Sequence, residues 1–402
     1  MEFIIMEHLK TALDQDTSLF DYIEGKSFDQ IKSELEAEPL NIKVNEKGNL
    51  YICKYSQIDS DFHYKVVRQC RGIILEKGTN DIIAYPFDKF FNLAETHADK
   101  VDFGKSSIQE KVDGSIIKIY YYDKSWRIAT NGTIDAKDAE TTDPLTGKTA
   151  NFFDLFHEGI EEQGVTFPEL TKQMTEGYTY IFELVHPITR IVVKYEKPGV
   201  YLIGIRDNKT MKEIDTFDKS NEQVKKITSL GIKQPKTFSF ASPEEMLAAA
   251  EVLGANEEGY VVRDPEFKRV KVKGSLYLKM HYLKSNNDLT PKKFIEMIQA
   301  NETDEFLSAF PEFTPRVNEF KDKINHYIEN IQADWKDMFA AFGPDFKSRK
   351  EFAEVAKKTT NSGSMFKALD AYTKGERDID KFIRKYIMET QPDRLLTAIG
   401  VW

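Results

Sequence analysis

The stretch EKVDGSIIKIYYY, residues 110–122, decides how this chain is read. Lys111 stands two residues before an Asp113-Gly114-Ser115 corner. The run that follows is rich in β-branched and aromatic residues and predicts a strand. Two readings are open. Asp-Gly is an ordinary turn dipeptide, so Lys111 can be a surface lysine beside a hairpin. Alternatively, the primary amine is a nucleophile held at the lip of a sheet. Lys-x-Asp-Gly arises by accident in a chain of this length roughly once in ten cases, so the motif alone does not choose.

Working outward, the text from about residue 40 to 285 is β-rich. Runs such as NLYICKY, CRGIILEK, YTYIFELV, RIVVKY, GVYLIGIR, GYVVRD and RVKVKGSLYLKM are separated by turn residues. Helical patches fall at NFFDLFHEGIEEQG, DKSNEQVKKITSLG and SPEEMLAAAEVLG, and nearer the start at EHLKTALDQ and SFDQIKSELEAE. The pattern predicts an α+β domain of antiparallel sheets with flanking helices over residues 1–287. After 288 the period changes. LTPKKFIEMIQA opens with a Thr cap and Pro at the first helical position. Val317, Phe320, Ile324, Tyr327, Ile328, Ile331, Trp335, Met338 and Phe339 then recur at steps of three and four, as do Ile379, Phe382, Ile383, Tyr386 and Ile387. Residues 288–402 read as an all-α C-terminal domain.

Bulk properties exclude several classes. The chain has 402 residues, 41% apolar and 30% charged, which disfavours disorder. No apolar run reaches the roughly 18 residues of a membrane span, and MEFIIMEHLK does not read as a signal peptide. Two cysteines, Cys53 and Cys70, lack metal-ligand spacing and suit a reduced, cytoplasmic compartment. Net charge is −10, which argues against a generally basic surface. Locally, residues 263–284 place Arg263, Lys268, Arg269, Lys271, Lys273, Lys279 and Lys284 against only Asp264 and Glu266. A solvated strand face is the plain reading, and a phosphate-binding face is the functional one.

A lysine attacks only when unprotonated, and its ordinary pKa is near 10.4. Neighbouring cations and desolvation lower it. Lys271 and Lys273, two apart on a strand, share a face and could do so. Glu258 in NEEGYVV and Glu183 in YIFELV are carboxylates at strand positions. Either alone is unremarkable. Together, in this order, they outweigh the hairpin reading.

The order KVDGS, FELVHPITRIVV, GVYLIGIRDN, EEGYVV and KVKGSLYLKMH resembles the nucleotidyltransferase motifs of covalent polynucleotide ligases. CRGIILE followed by YPFDKFFNLAE narrows the resemblance to the RNA ligase 1 family, the bacteriophage tRNA-repair type. It implies a ligase adenylation domain that joins RNA ends bearing 5′-phosphate and 3′-hydroxyl, with ATP as co-substrate and Mg²⁺ as the ion. Lys111 would carry AMP. Asp113 and Gly114 would shape the corner, and Glu110 would contact adenine. Glu183 would lie near the ribose and Glu258 near the metal. Lys271 and Lys273 would bind phosphate, with Tyr277 beside them. Arg71, Lys89 and Phe91 would surround the nucleotide, and Tyr55 matches with its spacing to Arg71 off by about one residue. Two points depart from the pattern. Asn131 stands where a basic residue is common, and Asp304-Glu305 is the nearest match to an acidic metal-binding pair in the helical domain, equally readable as a solvated helix start. The resemblance further implies a cytoplasmic monomer acting on single strands or a cleaved tRNA anticodon loop. The rival readings are a DNA ligase or mRNA capping enzyme, and an RNA-binding module that has kept the fold without turnover.

Overall fold

In the computed structural model the chain divides into two units, Met1–His281 and Tyr282–Trp402. The structure describes residues 14–142, 147–254, 256–278, 290–309, 311–343, 349–357, 359 and 362–401. The helix expected at EHLKTALDQ falls mostly outside them, as do Lys279 and Lys284.

The first unit is mixed α+β, built on antiparallel sheets. One four-stranded sheet runs in order Ile42–Lys47, Leu50–Tyr55, Arg71–Glu76 and Ile82–Ala84. A five-stranded sheet places Ser115–Tyr122 between Ser125–Thr130 and Tyr178–Val185, with Gly199–Asp207 and Glu213–Ile214 beyond. The other five-stranded sheet orders Thr237–Phe238, Ser107–Glu110, Gly259–Arg263, Arg269–Lys273 and Phe91–Asn92, and only its last pair is parallel. Residues 111–114 therefore do not close a hairpin. They carry the chain out of one five-stranded sheet and into the other, so the hairpin reading of the opening stretch fails.

The crossover is fixed by packing on both sides. Ile117 and Ile119 are fully buried with Phe156, Phe182, Leu184 and Leu202, beneath helix Phe152–Glu161. Ile108 packs with Tyr260, Val262, Val270 and Met246 of helix Pro243–Glu251. Truncating any one of these to alanine costs about 2–5 kcal/mol. Gly114 is needed at the corner because a Cβ there would overlap the Leu184 carbonyl oxygen and press to 3.0 Å from Glu183 Cγ.

Two expected strands differ from the structure. RIVVKY forms no strand over 190–195; the Val192 and Val193 amides are taken by a carboxylate instead of a ladder. RVKVKGSLYLKM pairs only over Arg269–Lys273, and residues 275–278 are helical after Gly274.

The second unit is all helical among its described residues. Its spine is Thr314–Phe342, 29 residues long, burying Val317, Phe320, Ile324, Ile328, Ile331, Trp335 and Met338 on one stripe. Helix Pro291–Gln299 starts at Thr290, whose hydroxyl accepts from the Lys293 amide. Ile379, Ile383 and Ile387 form the buried face of Ile379–Met388. Among the described residues no helix is long and apolar enough to cross a membrane.

Candidate active site

The crossover opens into a cavity of about 320 Å³ in the first unit. Glu110, Lys111 and Gly114 form one lip, and Arg71, Glu183, Lys271 and Lys273 line the walls with Phe87, Phe90 and Asn131. Strand pairing explains the meeting. Gly259 pairs with Lys273 and Val261 with Lys271, while Tyr260 pairs with Glu110 on the other side. The Lys111 amide donates to the Gly259 carbonyl at 2.8 Å, docking the nucleophile candidate against the turn that carries Glu258.

Lys111 Nζ lies 2.7 Å from Glu258 Oε1, and Lys273 Nζ lies 3.7 Å from the same oxygen. The Lys111 side chain keeps 21% of its surface, whereas Glu258 keeps 3%. The amine thus reaches the cavity while the carboxylate is sunk behind it. The sequence pattern sets Lys271 and Lys273 as the cations facing the amine; the structure adds a buried carboxylate shared by Lys111 and Lys273. Glu258 Oε2 has no hydrogen-bond partner among the described residues. An orphan buried carboxylate oxygen is costly and is a fitting donor for a hard cation. Gly259 makes this turn possible. It sits at φ +146°, and a Cβ there would overlap the Val272 carbonyl oxygen and reach 2.7 Å from Lys273 Cα.

Glu183 faces the same cavity. Removal from bulk water pushes its carboxyl up to about 8, against the opposing pull of the Lys111 cation. Glu110 is tied at the rim, its Oε2 accepting from the Lys236 amide at 3.2 Å. Arg71 Nη1 is buried without a partner among the described residues, and its guanidinium lies 5.1 Å from the Phe90 ring.

Asp113 is not a cavity wall. Its carboxylate, 4% exposed, accepts from the Val192 and Val193 amides at 2.9 and 2.7 Å and from the Tyr277 hydroxyl at 3.0 Å. Asp113 and Tyr277 therefore brace the crossover from behind. Lys89, Tyr55 and Phe91 are likewise grouped apart from the cavity. The Lys89 ammonium lies 5.3, 5.2 and 5.4 Å from the Tyr55, Phe62 and Phe91 rings, in favourable cation–π range. The basic run at 263–284 is also divided. Arg263 pairs with Asp215 at 2.7 Å and Arg269 with Glu213 at 2.5 Å, while Arg269, Lys271 and Lys273 line the cavity. Asp304 is exposed on helix Thr303–Ala309 of the second unit. No group of three metal-binding side chains occurs among the described residues.

Sequence reasoning missed Phe87 and Phe90, which also line the cavity, as does Arg269 of the basic run. Phe87 and Phe90 flank the predicted Lys89 in YPFDKFFNLAE, yet nothing in that run says which phenylalanine turns inward. It also missed Lys118, fully buried on Ser115–Tyr122, whose Nζ donates to the Gly72 carbonyl. Burial and the nearby Lys54 cation push its amine down to about 7. Asn131 lines the cavity, its Oδ1 buried without a partner among the described residues.

A protein-family model described as RNA ligase matches residues 69–281, more than half of the chain. The chain belongs to the RNA ligase family. The RNA ligase of Rhodothermus phage RM378 is 26% identical over 380 residues, covering 81% of this chain and 82% of its own. A protein of Autographa californica nuclear polyhedrosis virus, whose name couples polynucleotide kinase to RNA ligase, is 29% identical over 310 residues. That match covers 74% of this chain but only 42% of the viral protein. A solved mutant of Naegleria gruberi RNA ligase with ATP and Mn aligns at 16% identity and a TM-score of 0.33, over 44% of this chain and 52% of that one. The family match spans the whole crossover site, from Arg71 to Tyr277.

Proposed function

We propose that the chain is an ATP-dependent RNA ligase that works through AMP carried on Lys111. The observation that carries this reading is the Lys111–Glu258 pair, 2.7 Å apart, at the lip of a cavity walled by Arg71, Lys271 and Lys273. In the first step the Lys111 amine attacks the α-phosphorus of ATP. A nitrogen–phosphorus bond forms, the bond to the bridging oxygen breaks and pyrophosphate leaves. Glu258 Oε1 is within hydrogen-bond reach to take the proton the amine must lose. AMP then passes to the 5′-phosphate of RNA, and a 3′-hydroxyl attacks that activated end and expels AMP. Each step builds charge on non-bridging oxygens, so the work of Arg71, Lys271 and Lys273 is to position and neutralise. Asp113 and Tyr277 hold the corner so that Lys111 meets the α-phosphorus in line. Phe87 and Phe90 offer faces for the base.

The orphan Oε2 of Glu258 would hold a divalent cation such as Mg²⁺. When bound, such an ion would supply positive charge beside the triphosphate. Asp304, exposed on the helical unit, is proposed separately, as a carboxylate open to a divalent ion within that unit. The natural substrate we favour is a single-stranded RNA break, such as one in a tRNA anticodon loop, because the family resemblance points there and the half-buried Phe90 ring at the cavity offers an unpaired base a stacking face.

Ligation of a 5′-phosphorylated RNA as a free single strand and as a nicked duplex tests the reading. Circularised or joined single strand, dependent on ATP and lost in Lys111→Ala, is expected. Preference for the nicked duplex overturns the substrate class, and product without ATP overturns the reaction.

A further inference from the structure

Beside the crossover cavity lies a second, larger one of about 510 Å³, which shares Phe90 and Arg269 with it. Seven cations line it against four carboxylates, in a chain whose net charge is −10. Part of that excess is internal. Arg206 and Arg269 are both paired with the buried Glu213, at 2.6 and 2.5 Å. Lys268 is paired with Glu266 at 2.7 Å.

The remainder is not neutralised. Among the described residues Lys65, Arg68, Lys89 and Lys212 make no ion pair, although all four line the cavity. Lys65 and Arg68 are three apart on helix Lys65–Gln69 and so share a face. Lys212 comes from the opposite side, beside strand Glu213–Ile214. Asp99, which lines the cavity with Arg68, has its carboxyl pushed up by burial against the pull of Arg68. Arg206, 6% exposed, lines the same cavity and keeps Nε without a partner among the described residues. Concave, unneutralised positive charge of this kind is a site for a polyanion.

We propose that this second cavity binds the phosphodiester backbone of the RNA strand that carries the 5′-phosphate. Arg68, Lys65 and Lys212 grip the phosphates that follow the terminal one. This rests on the ligase reading above. The shared wall at Phe90 and Arg269 gives the strand a direction: its terminal phosphate enters the crossover cavity, and the next nucleotides lie in the second. Adenylylation of Lys111 by ATP does not require the second cavity, whereas transfer of AMP to RNA does.

The test separates these steps. Arg68→Ala/Lys212→Ala and the exposed-loop variant Lys212→Glu are compared with wild type. One assay measures the KM for ATP in self-adenylylation, and another the KM for a 5′-phosphorylated single-stranded RNA in joining. Loss of charge-assisted phosphate contacts should raise the RNA KM about ten-fold in the double variant, with the ATP KM held. Direct binding of the same RNA, followed by fluorescence anisotropy, should show a log Kd against log salt slope shallower by about 0.7 per lost contact. A rise in the ATP KM instead would make the cavity an outlet for the triphosphate and overturn the proposal, as would an unchanged RNA KM and salt slope. The anisotropy arm needs no turnover. If wild type forms no AMP adduct, the ligase reading falls while the RNA titration still decides the cavity.

Discussion

Asp113→Ala is the perturbation whose cost is best defined by the geometry. Three donors converge on the Asp113 carboxylate: two backbone amides, at 2.9 and 2.7 Å, and the Tyr277 hydroxyl at 3.0 Å. Val192 and Val193 are 3% and 4% exposed, and Tyr277 2%. None of these donors finds bulk water when the carboxylate is removed. A buried donor left without a partner costs about 1–3 kcal/mol. The sum, reduced by partial relaxation, is about 3–5 kcal/mol. That is a large share of the 5–15 kcal/mol typical of a folded protein, and corresponds to a fall in melting temperature of roughly 6–15 °C for a unit of this size. Tyr277→Phe removes one donor and leaves the two amides satisfied, so it should cost about 1 kcal/mol. Asp113→Asn should fall between the two. Scanning calorimetry of the full chain measures all three. If Asp113→Ala melts within 2 °C of wild type, or if Tyr277→Phe is the worse variant, the bracing role of this carboxylate is wrong.

Three further outcomes follow from the same structure. Glu183 is pushed up to about 8 from 4.5, so the folded chain holds a proton between those pH values that the unfolded chain has lost. Its contribution to stability is present below pH 4.5 and disappears as pH rises through about 8; Glu183→Gln should match wild type at low pH and exceed it in urea midpoint above pH 8. Lys118 has the opposite sign. Its amine is lowered from 10.5 to about 7, so its contribution is present above the higher value and lost as pH falls through the lower. Lys118→Met should flatten the rise in wild-type urea midpoint across that window. Gly259→Ala must displace the turn that carries Glu258, since no Cβ fits against the Val272 carbonyl; adduct formation on Lys111 should slow on the order of a hundred-fold, read by intact mass against time.

Much of this architecture was legible because its period was local. The strand pair Gly259–Arg263 and Arg269–Lys273 puts Lys271 and Lys273 on one face, as alternation requires. The helix stripe from Val317 to Met338 followed from steps of three and four alone. The helix cap at Thr290 sits where residue type placed it. What escaped was set by contacts distant in sequence. RIVVKY has strand composition, yet its amides are claimed by Asp113, 79 and 80 residues away. Glu258 was read as a metal acid, and nothing in NEEGYVV states that its first partner is the Lys111 amine. Lys89, Phe91 and Tyr55 were expected around the nucleotide, but the rings close on the ammonium and line none of the crossover cavity. The run at 263–284 was basic in composition, while Glu213 and Asp215, brought in from another strand region, neutralise its arginines.

The central claim is that Lys111 carries the nucleotide. Incubating the protein with ATP and Mg²⁺, denaturing it, and mapping the modified peptide by mass spectrometry tests this most directly. The account predicts a single AMP on the peptide containing Lys111, discharged by added pyrophosphate and missing from Lys111→Arg. AMP attached to any other side chain, or an adduct that survives the loss of this amine, would contradict it.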